Sequence, residues 1–258
     1  MTERMGRPLG TKPEGATNEL DASRKVREMF TRIAPRYDLL NHLLSAQMDR
    51  RWRARTAREL RPVLQRTDAM VLDLCCGTGD LAFSLKRGAK AQIVGADFSH
   101  TMLVRAKEKN EFGSGANWQI PFFEADALQL PFADDSFDLV TTAFGFRNLT
   151  NYQAGLQEIL RVLKPLGTVG ILEFAEPPPG LLGSLYRFYT QKVLPKIGGL
   201  ISGDAVAYAY LPKSVARFFR PEELLGLMKD VGYRDVRYHL MTLGSVALHL
   251  GVKDQFAG

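Results

Sequence analysis

The stretch that decides the fold runs from Ala69 to Leu85 and reads AMVLDLCCGTGDLAFSL. It begins with a short apolar run, Ala69–Leu74, which predicts a buried strand. A glycine-containing turn follows, and Leu81 opens a segment with helical character. Strand, tight turn and helix in this order form the first part of a βαβ unit, in which a crossover helix joins two parallel strands.

The same alternation continues along the rest of the chain. Further strands are predicted at 92–97, 121–125, 136–143 and 168–174, and two closing strands near 234–242 and 245–252. Helices are predicted from Ser99 to about Asn110, from Tyr152 to Val162 and from Pro221 to Val231. Strands that alternate with helices at this spacing predict an α/β fold, a doubly wound, mostly parallel seven-stranded sheet.

Outside this sheet the chain divides into three segments. Residues 1–20 are rich in Gly, Pro, Thr and charge and predict a flexible tail. Residues 21–66 predict an N-terminal helical cap, with one helix that starts at Asp21 and ends at Pro35 and another at about 49–60. An irregular, aromatic-rich insert is expected at about 180–213. We therefore expect a single domain at 21–258 that carries a cap and an insert.

Composition excludes several classes of protein. Of the 258 residues, 45% are apolar and 24% are charged, as in an ordinary globular domain and unlike a disordered chain. No run of about 18 uncharged apolar residues is present, so a transmembrane helix is not expected. The first residues lack the apolar core of a signal peptide, and the two cysteines, Cys75 and Cys76, are neighbours. Both features indicate the cytoplasm.

The net charge of +6 is distributed unevenly. Residues 1–66 hold 15 Lys and Arg against 8 Asp and Glu, whereas the remaining residues hold 19 against 20. Most of the excess lies between Arg50 and Arg66. Such a basic segment fits a solvated helix face, an anionic membrane surface or a nucleic acid, and the charge alone does not decide between them.

The predicted sheet has candidate ligand-binding residues at the carboxyl ends of its strands, where doubly wound sheets bind ligands. Gly77 and Gly79 let the backbone approach a ligand closely, because a Cβ at either position would fill the space. Asp97 ends the second strand and can accept hydrogen bonds from both hydroxyls of a ribose. Asp126 and Ala127 follow the third strand, where they would meet an adenine edge.

The class of nucleotide is decided by the carboxylates near the turn. Gly77, Gly79 and Ala82 satisfy the G-x-G-x-x-A pattern of dinucleotide enzymes, so an NAD-dependent oxidoreductase is an alternative. However, Asp73 lies before these glycines and Asp80 lies directly after them. Carboxylates at these positions would repel a pyrophosphate and attract a cation. The sequence therefore favours a sulfonium nucleoside over NAD.

Three further stretches carry a resemblance to a known family: residues 30–41 running on to 49–52, residues 143–148, and residues 208–219 with 221–224. Together with 71–83 they resemble the UbiE/MenG/COQ5 family of quinone-ring C-methyltransferases, which are class I S-adenosylmethionine-dependent enzymes. The likeness spans about residues 23–252 and implies a Rossmann-like fold with S-adenosylmethionine as co-substrate. The candidate cofactor-binding residues are Tyr37, Asp73, Gly77, Thr78, Gly79, Asp97, Asp126 and Ala127. Two positions depart from the family, Ala143 and Leu166, where Ser and Gly are usual.

The resemblance also implies a chemical role for individual residues. Arg147 and Asn148 should meet the quinol ring, with Arg147 stabilising the developing anion or orienting a water and Asn148 bonding a ring oxygen. Asp126 or a water relay should take the ring hydroxyl proton. Tyr37 should close the pocket. The alternatives are a structural ion pair for Arg147, a packed aromatic for Tyr37 and a backbone-organising carboxylate for Asp73.

The implied substrate is a polyprenyl quinol, with demethylmenaquinol favoured and a benzoquinol of ubiquinone biosynthesis as the alternative. Because such a quinol lies in the bilayer, we expect peripheral docking at the inner membrane face through the basic segment, Trp52 and the insert. Five aromatic residues are candidates for the isoprenoid channel: Tyr186, Phe188, Tyr189, Tyr208 and Tyr210.

Other ligands and partners are predicted to be absent. No metal is expected, because the four histidines form no ligand spacing. No nucleic acid is expected, because no appended binding module is recognisable. A homodimer is compatible with the sequence. The rival hypotheses are a methyltransferase for another small molecule or for RNA, and a cofactor-binding scaffold without activity.

Overall fold

The computed structural model describes residues 9–112, 119–177 and 205–255, together with Gly180, Gly183, Phe188 and Tyr189. Its strands are β1 (Met70–Leu74), β2 (Gln92–Asp97), β3 (Phe122–Glu124), β4 (Phe137–Ala143), β5 (Leu163–Phe174), β6 (Tyr233–Met241) and β7 (Val246–Lys253). They form one sheet in the order β3-β2-β1-β4-β5-β7-β6. The first five are parallel, and β7 is antiparallel to both of its neighbours. The predicted doubly wound, mostly parallel seven-stranded sheet is confirmed.

The described helices are α1 (Glu19–Ile33), α2 (Tyr37–Leu44), α3 (Met48–Glu59), α4 (Arg61–Leu64), α5 (Asp80–Lys86), α6 (His100–Phe112), α7 (Tyr152–Val162), α8 (Ala205–Arg217) and α9 (Pro221–Val231). The predicted bounds of α7 and α9 agree with the structure. In α7 the side chain of Asn151 caps the helix by accepting from Ala154 N, and Leu156 and Ile159 lie on its buried face.

Both faces of the sheet are buried, which explains the nearly continuous apolar runs of the central strands. Leu72 and Val140 pack on one face in a cluster that includes Leu156 of α7. Val71 and Leu139, their neighbours in the chain, pack on the opposite face in a second cluster. The alternation of side chains along a strand sends successive residues to opposite faces, so each apolar run contributes to two cores.

β5 starts earlier than predicted. The sequence places a turn at 164–167 before the strand, but the strand itself begins at Leu163 and contains this turn as an irregularity, with the register against β4 shifted between Phe137 and Leu139. Leu166 adopts a left-handed conformation there, with φ of 63°. For a residue with a Cβ this conformation costs about 1–2 kcal/mol, which accounts for the preference of the related family for glycine.

The N-terminal cap has two α-helices more than predicted, α2 and the short α4. We expected the first helix to end at Pro35 and nothing helical before about residue 49, but Ala34–Arg36 forms a 3₁₀ turn and α2 starts directly after it. Proline is tolerated in the first turn of a helix, because its missing N–H would have no partner there. Pro35 therefore ends one helix and allows the next to begin.

The prediction of a flexible tail at 1–20 is wrong for residues 9–20. Leu9 and Thr11 pair with the backbone of residues 149–152, at N···O distances of 2.7 Å in both bonds. Gly10 lies so close to this backbone that a Cβ on it would stand 1.8 Å from Thr150 O. We call residues 9–17 the strap, since they cross from this loop to α1, whose first turn is capped by Asn18.

The insert predicted at about 180–213 is only partly described. Its last residues are not irregular, because Ala205–Arg217 forms α8 with Pro212 inside it. Most of the remaining insert, including Tyr186, lies outside the described residues, as does the side chain of Tyr208. None of the helices in the described part of the chain is long and apolar enough to cross a membrane.

Candidate functional site

A cleft lies at the carboxyl ends of β1, β2 and β4, where the strand order reverses and ligands of doubly wound sheets bind. The space between its walls amounts to about 690 Å³, a volume that includes space open to solvent. The predicted site residues on its wall are Tyr37, Gly77, Asp97, Asp126, Ala127 and Asn148. The structure thus brings together six residues that are far apart in the sequence.

The turn after β1 shapes the floor of this cleft. Gly77 has φ of 56°, and a Cβ built on it would meet Tyr37 Cε1 at 3.9 Å and so stand in the cleft itself. Cys75 also adopts a left-handed φ of 53°. A Cβ on Gly145 would lie 2.4 Å from Cys75 Cβ, so the loop after β4 can approach this turn only with glycine there.

Asp97 ties the second strand to the glycine turn. Its Oδ2 accepts a hydrogen bond from Gly77 N at 2.9 Å, and its Oδ1 accepts one from Ser99 N at 2.8 Å. Burial raises the pKa of this carboxyl to about 6, although the two backbone donors act in the opposite direction. Each carboxylate oxygen retains a lone pair that can accept from a ribose hydroxyl.

The third strand supplies the far wall of the cleft. Asp126 is exposed and holds its loop by accepting from Leu128 N at its Oδ1, at 2.9 Å. Ala127 is buried beside it. Phe98 and Met102 contribute apolar surface to the same cavity. An apolar slot with a carboxylate at its edge matches the flat face and polar edge of an adenine ring.

Asp73 does not line the cleft. It is fully buried behind the turn, where its Oδ1 accepts from Thr141 Oγ1 at 3.1 Å and the backbone of Ala82 also bonds to it. Burial raises the pKa of Asp73 to about 7, and its Oδ2 has no partner among the described residues. These contacts match the alternative interpretation, a carboxylate that organises the backbone.

Two other members of the predicted cofactor set also lie away from the cavity wall. Thr78 is buried, and its hydroxyl donates to Asp38 Oδ1 in α2. Gly79 has φ of 84° and starts α5, where a Cβ would lie 2.9 Å from the ring of Phe83. Gly79 is therefore required for the close packing of strand and helix, and Thr78 connects the turn to the cap.

Tyr37 and Phe30 bring the cap onto the cleft. Their rings meet edge to face, with centroids 6.1 Å apart. Burial raises the pKa of the Tyr37 hydroxyl, while the positive charge of Arg147 acts to lower it. Tyr37 is therefore both a packed aromatic at the start of a helix and part of the cleft wall, so the two interpretations offered from the sequence are compatible.

The guanidinium of Arg147 is buried beside the cleft and does not line it. Its Nη1 donates to Glu173 Oε1 at 2.9 Å and to the carbonyl of Phe144. Its Nε lies 3.4 Å from Ser214 Oγ in α8. Burial acts to lower the pKa of Arg147, but Glu173, Tyr210 and Tyr37 together outweigh it and raise that pKa. The contacts of Arg147 are thus those of a buried ion pair.

Asn148 is oriented by residues that the sequence did not connect with it. Its Oδ1 accepts from the hydroxyl of Tyr210 in α8 at 3.0 Å. That hydroxyl also lies 2.8 Å from Thr11 Oγ1 in the strap. Tyr210 was singled out as a candidate for an apolar channel, but its hydroxyl serves a polar contact at the cleft. Thr11 carried no sequence signal, because its partner is 199 residues away.

One cluster among the described residues has metal-ligand character, although no metal was expected. Potential ligand atoms of His42, Asp49 and Asp80 lie within 4.8 Å of one another. These carboxylates already have cationic partners, since Arg53 donates to Asp49 and Lys109 lies 2.5 Å from Asp80 Oδ1. Two cations already paired with these carboxylates oppose a third one, so the donor set fits an ion-pair network better than a metal site.

Comparison with known proteins gives the family. A sequence model of the ubiE/COQ5 methyltransferase family matches residues 18–253. The chain belongs to this family. A protein from Thermus thermophilus named demethylmenaquinone methyltransferase is 51% identical to it, and the alignment spans 86% of the chain and 99% of the relative. A protein of the same name from Deinococcus radiodurans is 47% identical, over 90% of the chain and 94% of the relative. A Syntrophotalea carbinolica protein named ubiquinone/menaquinone biosynthesis C-methyltransferase UbiE is 45% identical over 89% of the chain and 94% of its own length.

Solved structures support the fold assignment of this ubiE/COQ5 member. A SAM-dependent methyltransferase from Thermotoga maritima superposes with a TM-score of 0.59 and 20% sequence identity. The superposition spans 88% of the present chain and 99% of the Thermotoga chain. The [4+2]-cyclase SpnF superposes with a TM-score of 0.66 and 17% sequence identity, over 95% of the present chain and 98% of the SpnF chain. Since one of these is named a cyclase, the likeness shows the Rossmann-like fold alone, and function has to be argued from the site.

The residues on the cleft wall fit the methyl donor that the ubiE/COQ5 family implies. The space next to Gly77 would be filled by any Cβ, and Asp97 presents a buried carboxylate with free lone pairs there. Phe98, Met102 and Ala127 supply apolar surface against which a flat ring can lie. A nucleoside with a cationic sulfur satisfies all three features, because Asp97 and Asp126 make this cleft acidic.

Proposed function

We propose that this protein transfers a methyl group from S-adenosylmethionine to a ring carbon of a polyprenyl quinol, with demethylmenaquinol as substrate and menaquinol as product. The observation that carries the proposal is the match of the family over residues 18–253 together with a cleft at the switch point of the sheet that is lined by Asp97 and Asp126. The demethylmenaquinone methyltransferases of Thermus and Deinococcus, each matched over nearly their whole length, support the menaquinone branch.

The cofactor would be held by three groups of the cleft. Asp97 would accept from the two ribose hydroxyls, the backbone at Gly77 would lie against the amino-acid portion, and Asp126 with Ala127 would meet the adenine. When bound, S-adenosylmethionine supplies an electrophilic methyl group on a positively charged sulfur. The methyl would be aimed towards the side of the cleft that carries Asn148.

The quinol ring would lie beside Asn148. Transfer to carbon requires a ring carbon made nucleophilic by loss of a proton from the neighbouring hydroxyl. S-adenosylhomocysteine would be the leaving group as the methyl–sulfur bond breaks. Loss of the ring hydrogen as a proton and return of a proton to the ring oxygen would then give the quinol product. We assign Asn148 to a hydrogen bond with a ring oxygen, since it lines the cleft and Tyr210 fixes its amide. Because Asp126 would meet the adenine, the hydroxyl proton would pass to a water in the cleft rather than directly to this carboxylate.

Arg147 is then a positioning residue rather than a direct contact. Its guanidinium holds the carbonyl of Phe144 and the carboxylate of Glu173, and so fixes the loop that presents Asn148. Its charge also reaches the hydroxyl of Tyr37 on the cleft wall, where it opposes the effect of burial on the pKa. This assignment combines the expected electrostatic role with the ion pair that was the alternative.

The proposal is tested with purified protein and radiolabelled S-adenosylmethionine in detergent micelles that contain either a demethylated naphthoquinol or a demethylated benzoquinol. We expect transfer of label to carbon of the naphthoquinol, with a kcat/KM at least about tenfold above that for the benzoquinol. Asn148→Ala should reduce the rate with either ring. Binding of the cofactor without methylation of either quinol would exclude the proposed substrate class.

We further propose that the protein docks on anionic membranes through α2 and α3. Two exposed leucines of α2, Leu39 and Leu43, are 62% and 51% accessible. Four exposed arginines, Arg50, Arg51, Arg55 and Arg58, belong to α3. Exposed apolar side chains on one helix and basic side chains on its neighbour match a lipid surface, which combines an apolar interior with anionic headgroups.

Two residues of the basic segment take no part in this surface. Trp52 is buried, and its Nε1 donates to Thr242 Oγ1 at 2.7 Å. The expectation that Trp52 contacts the bilayer is therefore wrong. Arg53 is buried as well and pairs with Asp49. The helical period explains both cases, because positions 52 and 53 face the body of the protein while 50, 51 and 55 face outward.

Changing Arg50, Arg51 and Arg55 together to Glu should abolish most of the binding to anionic vesicles. Each basic residue near such a surface contributes about 1 kcal/mol, so reversal of three charges should weaken binding by at least about a hundredfold. Flotation with phosphatidylglycerol vesicles measures the effect. The matched control changes Arg87, Lys90 and Arg237, which are exposed elsewhere, to Glu and should float like the wild type. Equal binding of both triple variants would contradict the assigned surface.

A further inference from the structure

The ammonium group of Lys109 joins three parts of the molecule. Lys109 lies in α6, and its Nζ is 3.0 Å from Asp38 Oδ2 in α2, 3.2 Å from Thr78 Oγ1 in the glycine turn and 2.5 Å from Asp80 Oδ1 at the start of α5. The ring of Phe83 lies below it, with its centroid 5.7 Å from Nζ. A lysine has three N–H donors, and here each has an oxygen from a different element.

These contacts connect the cap to the turn that forms the cleft floor. Asp38 directly follows Tyr37, whose ring forms part of the cleft wall. Thr78 directly follows Gly77, whose N–H bonds to Asp97. The position of Asp38 relative to Thr78 therefore sets the distance between the wall and the floor of the cleft.

The hydroxyl of Thr78 is committed to this connection. Its single proton is donated to Asp38 Oδ1, while Lys109 donates to its oxygen. A hydroxyl has one donor and two acceptor positions, so the bond to Asp38 must be broken or shared before Thr78 can donate to a ligand. The side chain is also 2% exposed and does not line the cavity.

A second set of contacts holds α3 to the same point. Asp80 Oδ2 lies 3.5 Å from Arg53 Nη1 and 3.8 Å from His42 Nε2, and Asp49 Oδ2 accepts from both of those side chains. The cap is thus attached to α5 through Arg53 on one side and to α6 through Lys109 on the other. Only Lys109 also contacts the glycine turn.

We propose that Lys109 is a positioning residue for cofactor binding, which clamps Asp38 of the cap onto Thr78 and so sets the distance of Tyr37 from Gly77. The inference rests on the proposed function, because it concerns the same cofactor cleft. It assigns the side chain of Thr78 to the clamp rather than to the cofactor. The ion pairs of Lys109 are about one-third exposed, so their contribution to global stability is small and their main effect is on the geometry of the cleft.

The test compares Lys109→Met with Lys107→Met by titration calorimetry with S-adenosylhomocysteine. Methionine keeps the length and apolar contacts of lysine without its charge. Lys107 is an exposed lysine of the same helix, so it controls for the change of net charge. We expect the Kd of Lys109→Met to rise about tenfold, which corresponds to about 1.4 kcal/mol, and that of Lys107→Met to remain at the wild-type value. Amide hydrogen exchange in α2 should accelerate in Lys109→Met only.

A second variant separates the clamp from a loss of fold. Asp38→Asn removes the partner charge, and the double variant with Lys109→Met should bind no more weakly than either single variant, because all three break the same contact. Additive effects, or a Kd for Lys109→Met equal to that of the wild type, would overturn the inference. Wild-type protein that binds no S-adenosylhomocysteine would instead overturn the proposed function, so the two failures are distinguishable.

Discussion

Replacing Arg147 by alanine should lower the free energy of unfolding by about 3–5 kcal/mol, a large part of the total stability of a typical domain. The reason is that Glu173, 1% exposed, would keep a buried negative charge after losing the guanidinium that neutralises it. Urea denaturation followed by circular dichroism measures this loss. Activity of the single variant would also fall, because the loop that presents Asn148 loses its anchor at Phe144.

A double variant distinguishes positioning from direct catalysis. Arg147→Ala combined with Glu173→Gln removes both charges, and glutamine retains a carbonyl that can accept from a backbone N–H, as Glu173 does from Phe174 at 2.8 Å. Glu173 Oε2 also accepts from the backbone N–H of residue 147, which the glutamine amide would no longer satisfy, so we expect this variant to recover part of the lost stability and a measurable single-turnover rate. A double variant that is as stable as the wild type but has no methyl transfer would show that Arg147 acts on the substrate directly.

Asp97→Asn should weaken binding of S-adenosylhomocysteine by about a hundredfold, or about 2.7 kcal/mol. The carboxylate accepts from two backbone N–H groups, Gly77 and Ser99, and is proposed to accept from two ribose hydroxyls in addition. Asparagine has one acceptor oxygen in place of two, so its amide N–H₂ would oppose one of the backbone donors. Glu124→Gln, an exposed carboxylate at the end of β3, is the matched control and should bind normally.

The same residue should make binding pH-dependent. Because the pKa of Asp97 is raised to about 6, the carboxylate is ionised at pH 7 and mostly protonated at pH 5. Protonation removes acceptors for the ribose, so the affinity should be full above pH 7 and fall about tenfold towards pH 5. Asp97→Asn should have a flat profile over this range. A variant that kept the slope would assign it to another group, such as Asp73, whose pKa of about 7 lies nearby.

The elements of the sheet were predictable because each has a local signal. The apolar runs at 69–74, 92–97 and 136–143 have to be buried in a folded chain, which predicts interior strands. The helical period of α7 and its N-cap are both visible in the local sequence. The errors occurred where tertiary contacts decide the conformation. The strap has the composition of a free tail, yet it pairs with a loop about 140 residues away. α2 was missed because a proline usually marks a break.

The residues of the candidate site also form two groups, those with a local signal in the sequence and those whose role depends on tertiary contacts. Asp97, Gly77 and Asp126 were found because strand ends of a doubly wound sheet meet at one edge, a rule that needs only the sequence. The contacts of Arg147 with Glu173, of Asn148 with Tyr210 and of Lys109 with Asp38 join residues 26 to 71 positions apart. Nothing local distinguishes Lys109 from Lys107, so only the packing of α6 reveals which lysine faces the cap.

The strap has a consequence for the order in which the protein is assembled during translation. Residues 9–17 are synthesised well before their partners in α8, where Thr11 contacts Tyr210, Glu14 pairs with Lys213 and the carbonyl of Lys12 accepts from Arg217. These partners are synthesised about 200 residues later, so the strap cannot form its native contacts until α8 has been made. The hydroxyl of Tyr210, which orients Asn148, is in place only after α8 has been synthesised. A nascent chain without α8 would already contain Asp97 and Asp126 of the cleft, but its Asn148 would lack the partner that holds its amide.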